Sequence, residues 1–321
     1  MSTVALCISG TVLTWDTILV ALSLPACFLA LWSAYGARGG RALTVWALAP
    51  TAALLSLGLS RLMFFYCHQE QFASLAAAFT PGSSGGFCLS GVVMGFVLAV
   101  ALLRLVRLAP DAPLLLDCAA PALALGLALL RLSALFNGSC RGKAVVTDAR
   151  FQKLPFAATA PGGTEFRFAA FFLGSLLFLA AFAILCVLLT RRWGRRGDVF
   201  LAFLLFYSAA ELLVDSMRND ATYFRFNAFV SVAQILSGVT MLGVFVVFSR
   251  RAVRAGGGKG RLALCAAAWF LGLCCAGISE YLVQRHGNRQ LGCYTLMSLG
   301  ALLLLTATFA VYRPARKKEK G

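Results

Sequence analysis

The chain has 321 residues, of which 60% are hydrophobic and only 13% are charged. Soluble domains carry about a quarter charged residues, so this composition excludes an ordinary soluble protein and indicates an integral membrane protein. The formal net charge is +17, but the basic residues gather in short connections between apolar runs, as in the cytoplasmic loops of membrane proteins. We therefore predict no nucleic-acid partner.

Nine apolar segments approach the length of about 20 residues that a helix needs to cross a bilayer. In chain order they are 12–35, 42–66, 86–109, 112–136, 168–190, 199–217, 226–249, 262–284 and 291–312. The sequence therefore predicts an all-α polytopic membrane protein with about nine transmembrane helices.

These segments divide the chain into a core and an extension. Residues 1–250 are predicted to form a seven-helix membrane core, and the glycine-rich basic segment 251–261 a cytoplasmic linker. Residues 262–312 form a two-helix C-terminal extension, followed by a basic cytoplasmic tail at 313–321. We expect the extension to pack on the outside of the core without lining a site.

Loop charge predicts the orientation in the membrane. The basic clusters lie at 38–41, 104–107, 191–196, 250–261 and 313–320. These are alternate connections, so one topology places all of them on the cytoplasmic side. We predict a multi-pass protein of the cytoplasmic (inner) membrane, with its N-terminus outside and its C-terminus inside.

Several ionisable residues lie within the apolar segments, near the ends that this topology places outside. They include Arg61, Arg131, Glu211 and Asp215. A charge inside a transmembrane helix costs at least about 2.5–3.5 kcal/mol on insertion scales, so such residues are candidates for a functional site.

Helical spacing groups some of these residues on one face. The stripe, with spacings of 4, 4 and 3, consists of Tyr207, Glu211, Asp215 and Arg218. Two carboxylates beside one arginine predict a mixed-charge network completed by Arg131 or Arg61. The alternative is a set of structural ion pairs, with arginines extending to the headgroups.

Arginine suggests a ligand for the cluster. Its planar fork binds oxyanions through two hydrogen bonds, and a cluster at headgroup depth suits a phospholipid phosphate. The chain has only two histidines, His68 and His286, and no cysteine pair has metal-ligand spacing, so we predict no metal site and no cofactor.

Four segments resemble motifs of one family, the prolipoprotein diacylglyceryl transferases. Residues 85–95, with Gly85, Gly86 and Ser90, resemble its GGxxxHGGLIG segment, and residues 131–143 resemble RxGNFxNGExxGR. Residues 215–220 and 233–237 resemble the EFxRxPD and GQILS pair, and Ser60-Arg61-Leu62 is similar to GARL. The resemblance covers roughly residues 12–250.

The resemblance implies transfer of diacylglyceryl from phosphatidylglycerol to the lipobox cysteine of a prolipoprotein, with these two molecules and membrane lipids as partners. Arg131 and Arg218 would hold the phosphate, with Arg61, and Asp215 would position an arginine or accept a proton. The implied substrate-binding residues are Arg61, Gly85, Gly86, Ser90, Asn137, Gly138, Gly142, Tyr207, Glu211, Gln234 and Ser237.

The chain departs from the family pattern at four positions. Ser90 replaces a histidine, Ala134 an asparagine and Ser139 a glutamate, and Glu211 stands where a second arginine is expected. These changes leave a non-catalytic lipid-binding or scaffold protein of the same fold as an alternative. A small-solute transporter is a weaker alternative, because the sequence has no evident inverted repeat.

Overall fold

A computed structural model describes residues 4–8, 11–80, 86–224, 227–286 and 290–318. The helices are α1 (Trp15–Gly36), α2 (Ala42–Cys67), α3 (Leu75–Ala78), α4 (Leu89–Leu105), α5 (Ala112–Asn137), α6 (Ala170–Thr190), α7 (Asp198–Met217), α8 (Val232–Arg254), α9 (Lys259–His286) and α10 (Gln290–Lys318). Within the described residues, eight helices are long and apolar enough to cross a membrane, and α4 is a shorter apolar helix. The prediction of an all-α polytopic membrane protein is confirmed.

Three short antiparallel hairpins lie outside the helices. They are formed by β1 (Val4–Ile8) with β2 (Thr11–Thr14), β3 (Ala157–Thr159) with β4 (Phe166–Phe168), and β5 (Tyr223–Phe224) with β6 (Asn227–Ser231).

Two of these hairpins shift predicted helix starts. The first helix begins at Trp15 rather than 12, because β2 pairs with β1. The seventh predicted segment corresponds to α8 and begins at Val232 rather than 226. There β6 pairs with β5, and Ser231 caps the helix in a capping box with Gln234. Local pairing and capping determine both boundaries.

Helices α2 and α4 pack closely through small residues. A Cβ atom on Gly91 of α4 would lie 2.5 Å from the Cα atom of Ser60 on α2, so only glycine fits there. The Ser60 hydroxyl donates to the Cys88 carbonyl at 2.8 Å, and Ser56 donates to Val92 at 2.9 Å. Small residues and interhelical hydrogen bonds are the usual means of close packing between membrane helices.

Helix α7 occupies the middle of the bundle. It packs against α5, α6, α8 and α10, and its buried residues include Phe203 and Leu205 in the apolar core. Because α7 is enclosed along its length, the polar residues near both of its ends lie in the protein interior.

The two C-terminal helices pack on each other and on the core. A Cβ atom on Gly272 of α9 would lie 2.9 Å from the Gly300 carbonyl of α10, and α10 also contacts α7 and α8. The linker between α8 and α9 is shorter than the predicted 251–261, because α8 continues to Arg254 and α9 begins at Lys259. Helix α10 continues to Lys318, into the predicted tail.

Candidate functional site

The carboxyl end of α7 carries a buried ion pair with α5. Arg131 Nη2 donates to Glu211 Oε1 at 2.5 Å, and the two residues are 7% and 1% exposed. Glu211 lies on the α7 stripe, so the expected link from the stripe to an arginine of another helix is present. Gly174 of α6 leaves room for Arg131, whose Cδ would lie 3.5 Å from a Cβ atom at that position.

Arg218 extends the cluster beyond the helix end. It donates from Nη1 to Asp215 at 3.1 Å and from Nε to Asp220 at 2.9 Å. Burial alone would raise the pKa of Asp220, but the hydrogen bond and positive charge of Arg218 hold it below its ordinary value. The cluster therefore combines two arginines with three carboxylates.

Cys140 contacts this cluster from the loop after α5. Its Sγ accepts a hydrogen bond from Arg131 Nη1 at 3.1 Å, and its backbone N–H donates to Asp220 Oδ2 at 2.9 Å. Burial raises the pKa of the thiol, although Arg131 and Arg218 act in the opposite direction. Neither Cys140 nor Asp220 was predicted to be a site residue, although both lie in the segments that carry the family resemblance.

Three other residues of the resembling segments shape the loop. Asn137 is exposed, and its Oδ1 accepts from the Ser139 N–H at 2.9 Å. Gly138 ends α5 with a φ of 79°, a conformation that favours glycine. The N–H of Gly142 donates to Phe168 at 2.7 Å, where a Cβ atom would clash. Their described roles are in the backbone of the loop.

The loop is also anchored by Arg141, which sequence reasoning missed. Its Nη2 donates to the carbonyls of Leu135 and Thr159, each at 3.0 Å. Its guanidinium lies 4.5 Å from the ring centre of Phe171, close enough for a cation–π contact. These contacts hold the segment that carries Cys140 against α5 and β3.

Arg61 lies in a separate environment at the end of α2. Its Nε donates to the Ala78 carbonyl at 2.8 Å and its Nη1 to the Gly86 carbonyl at 2.9 Å. The rings of Phe64, Phe72 and Phe87 lie within 5.8 Å of its guanidinium. Among the described residues, Arg61 thus contacts the backbone of Gly86 and not the ion pairs of the α7 stripe, and Gly85 lies outside the part of the chain that the structure describes.

Some buried polar atoms of the cluster are open to further hydrogen bonds. Arg131 Nε, Asp215 Oδ2 and the Tyr207 hydroxyl have no hydrogen-bond partner in the described part of the chain. Ser90 of α4 lies beside the Tyr207 hydroxyl without a well-aligned hydrogen bond. Since nearly all buried polar groups in proteins are paired, these atoms are suited to binding a polar molecule.

The C-terminal extension reaches this end of the bundle. Gln234 Nε2 donates to Glu280 Oε2 of α9 at 2.9 Å, and Gln284 donates to the other oxygen at 2.7 Å. Ser237 is buried about one turn further along α8. The expectation that the extension stays clear of the predicted site residues is wrong at Gln234, because a carboxylate in an apolar helix needs a polar partner.

A second polar cluster lies at the amino end of α7, about 20 Å away at 1.5 Å per residue. Asp198 accepts from the Arg195 N–H at 2.6 Å and from Arg251 and Tyr312. Asp117 of α5 accepts from the backbone N–H groups of Gly197 at 2.6 Å and Phe200 at 2.9 Å. Every oxygen of the two carboxylates is hydrogen-bonded. The sequence analysis missed both, although Asp117 interrupts an apolar segment.

Comparison with known proteins adds independent information. The sequence matches the prolipoprotein diacylglyceryl transferase family over residues 3–250. It is 30% identical over 138 residues to the phosphatidylglycerol–prolipoprotein diacylglyceryl transferase of Streptococcus suis strain 05ZYH33, covering 42% of this chain and 50% of that protein. A protein of the same name from Geobacter sulfurreducens is 32% identical over 183 residues, covering 53% of this chain and 64% of that protein.

The chain therefore spans about half to two thirds of the length of these relatives. The family match includes the residues of the α7 carboxyl-end cluster and Gln234. Glu280, which contacts Gln234, lies beyond the match.

Proposed function

Because the chain belongs to the prolipoprotein diacylglyceryl transferase family, we propose that it transfers diacylglyceryl from phosphatidylglycerol to the lipobox cysteine of a prolipoprotein. The observation that carries the proposal is the buried cluster at the carboxyl end of α7. There, a guanidinium nitrogen of Arg131 and a carboxylate oxygen of Asp215 have no hydrogen-bond partner among the described residues. These are the two kinds of group that the reaction requires, a cation for phosphate and a base for a thiol.

The proposed reaction is a displacement at carbon. The lipobox sulfur attacks the glyceryl carbon that bears the phosphate, so that a C–S bond forms and the C–O bond to phosphate breaks. Glycerol phosphate leaves with the electron pair, and Asp215 Oδ2 accepts the thiol proton. Arg131 and Arg218 stabilise the charge that develops on the departing phosphate.

Glu211 has two opposing effects in this scheme. Its bond to Nη2 fixes the Arg131 guanidinium in one orientation while Nε stays open. Its negative charge also offsets that of Arg131, and three carboxylates face two arginines in the cluster. We therefore expect weaker phosphate binding than two unpaired arginines would give.

That charge balance favours a second candidate function. A protein of the same fold could bind phosphatidylglycerol at this cluster without transferring its diacylglyceryl group. The Arg131–Glu211 ion pair supports this alternative, because it reduces the positive charge that would stabilise the departing phosphate, and only transfer requires that stabilisation.

For location, we propose the cytoplasmic membrane with the carboxyl-end cluster facing outside. The arginine-rich connection between α6 and α7 lies at the opposite end of α7. The positive-inside tendency places such a connection in the cytoplasm.

A reconstituted assay tests the proposal. Purified protein is incubated with phosphatidylglycerol labelled in its acyl chains and with a lipobox peptide, and thioether-linked labelled peptide is measured. Product from the native chain, and at least about a hundredfold less from Arg131→Lys, is the expected result. Lipid binding without product supports the second candidate, and absence of both overturns the two together.

A further inference from the structure

A cavity of about 320 Å³ lies at the amino end of α7, away from the candidate site. Four arginines line it: Arg38, Arg192, Arg195 and Arg196. Its wall also includes apolar side chains of Leu114, Leu189 and Val199. The cavity thus combines a strongly basic rim with an apolar surface, and its volume falls in the range of small-ligand sites.

Arg38 is held in place by neutral partners. Its Nη1 donates to the Ala34 carbonyl and its Nη2 to the Leu189 carbonyl, each at 2.9 Å. These carbonyls lie in the last turns of α1 and α6, where the helix dipoles favour a cation. Two neutral carbonyls therefore hold Arg38 at the cavity, and these two hydrogen bonds do not neutralise its positive charge.

Carboxylates of the described residues compensate part of this positive charge. Asp117, which lines it, bonds through both oxygens to the N–H groups of Gly197 and Phe200. Asp111 pairs with Arg196 at the surface, and Asp198 is fully buried against Arg251 and Tyr312. Among the described lining residues, four arginines face a single carboxylate, that of Asp117, so positive side chains outnumber negative ones.

We propose that this cavity binds the phosphate of an anionic phospholipid from the leaflet at the amino end of α7. The arginine forks hold the phosphate oxygens, and the lipid's glyceryl and acyl portions lie along the partly exposed apolar side chains of Leu114 and Trp193. Basic pockets between membrane helices are known to take anionic headgroups. A free phosphate has the same charged chemistry but would leave the apolar wall uncovered, which favours the lipid.

Photo-crosslinking tests the site directly. The full-length protein in neutral detergent micelles is mixed with a photoactivatable phosphatidylglycerol, and crosslinked peptides are mapped by mass spectrometry. We expect labelling within residues 189–200, reduced about tenfold in the double variant Arg192→Gln/Arg195→Gln, which corresponds to about 1.4 kcal/mol of binding. The matched control, Arg104→Gln/Arg107→Gln, removes the same charge from exposed positions outside the cavity and should label normally.

Three other results would overturn the proposal. Equal labelling of the two double variants overturns it, as does equal labelling by a photoactivatable phosphatidylcholine. Loss of labelling with millimolar inorganic phosphate at constant ionic strength identifies a soluble phosphate as the ligand and overturns the lipid assignment. Transferase activity does not enter this readout, so the result stands whether or not the proposed function holds.

Discussion

The two ends of α7 hold buried charges in different ways. At the amino end, every carboxylate oxygen of Asp117 and Asp198 accepts a hydrogen bond. At the carboxyl end, Asp215 Oδ2 and Arg131 Nε remain without partners among the described residues. Burial is similar at both ends, so the difference lies in whether the polar atoms are satisfied. A satisfied cluster stabilises the fold, and an unsatisfied one is suited to binding a ligand.

Connectivity supports this distinction. The amino-end cluster ties α7 to α8 through Arg251 and to α10 through Tyr312, and Asp117 adds α5. The Arg195 N–H of the loop before α7 also donates to Asp198, but the carboxyl-end cluster relies on loops for two of its side chains, the Cys140 thiol and the Asp220 carboxylate, besides α5 and α7. A loop can change its conformation at a smaller cost in free energy than two packed helices can change their contact.

The largest expected effect is on stability, from Asp198→Ala. The change leaves Arg251 without its buried partner and should cost about 3–5 kcal/mol of unfolding free energy. Asp215→Asn should cost much less, because Arg218 keeps its bond to Asp220. Thermal unfolding of both purified variants checks this. Equal losses of stability would contradict the comparison.

The next effect is on activity. Arg131→Lys keeps a positive charge but loses the fork, so transferase activity should fall about a hundredfold while the unfolding temperature changes little. Arg104→Lys, on the exposed side of α4, is the matched control. Activity is measured with labelled phosphatidylglycerol. Full activity of Arg131→Lys would reduce Arg131 to a structural residue.

A matched pair of tyrosines sharpens the comparison. Tyr312→Phe removes a hydroxyl that donates to Asp198 and should cost about 1–3 kcal/mol, because it leaves a buried acceptor short of a bond. Tyr207→Phe removes a buried hydroxyl without a hydrogen-bond partner in the described chain, so stability should stay level or rise. The unfolding temperatures of the two variants, measured side by side, test this order. The reverse order would show that our assignment of the two clusters is wrong.

Glu280 tests how far the carboxyl-end cluster extends. Glu280→Gln weakens the bond from Gln234 and should lower activity several-fold, at a cost of about 1 kcal/mol in stability. Glu165→Gln, on an exposed loop, is the control. Identical activities of the two variants would exclude α9 from the site.

The smallest effect concerns pH. Because the pKa of Asp220 is held below its ordinary value, its ion pair with Arg218 stabilises the fold above the unfolded pKa, about 3.9. That contribution to stability is lost as the pH falls through the lower pKa that Asp220 has in the folded protein. Asp220 is more than a third exposed, so the contribution is below about 1 kcal/mol. Asp220→Asn should flatten the acid limb of the stability curve, and an unchanged limb would contradict this.

Sequence reasoning found the carboxyl-end cluster better than the amino-end one, for a physical reason. Glu211, Asp215 and Arg131 interrupt apolar helices, and the cost of unpaired charge predicts that they meet. The partners of Asp117 are the backbone N–H groups of Gly197 and Phe200 at the start of α7, which have no side-chain signature. The contact between Gln234 and Glu280 depends on how α9 is rotated against α8, and spacing along the chain does not encode that rotation.

The loop after α5 shows the same limit. Its motif identified Asn137, Gly138 and Gly142, which shape the loop in the structure, Asn137 through its side chain and the two glycines through their backbone. Cys140 lies between them and contacts Arg131. Motif positions therefore located the loop correctly without showing which of its side chains faces the cluster.

Glu280 also bears on the order in which the chain enters the membrane. A carboxylate within α9 costs about 2.5–3.5 kcal/mol on insertion scales, and two glutamines offset that cost: Gln284 of the same helix, and Gln234, which lies 46 residues earlier in α8. During synthesis α8 is therefore already available when α9 arrives. Supplied as a separate polypeptide, α9 and α10 would have to insert Glu280 with Gln284 but without Gln234, so we expect the extension to insert less favourably when it is detached from the core.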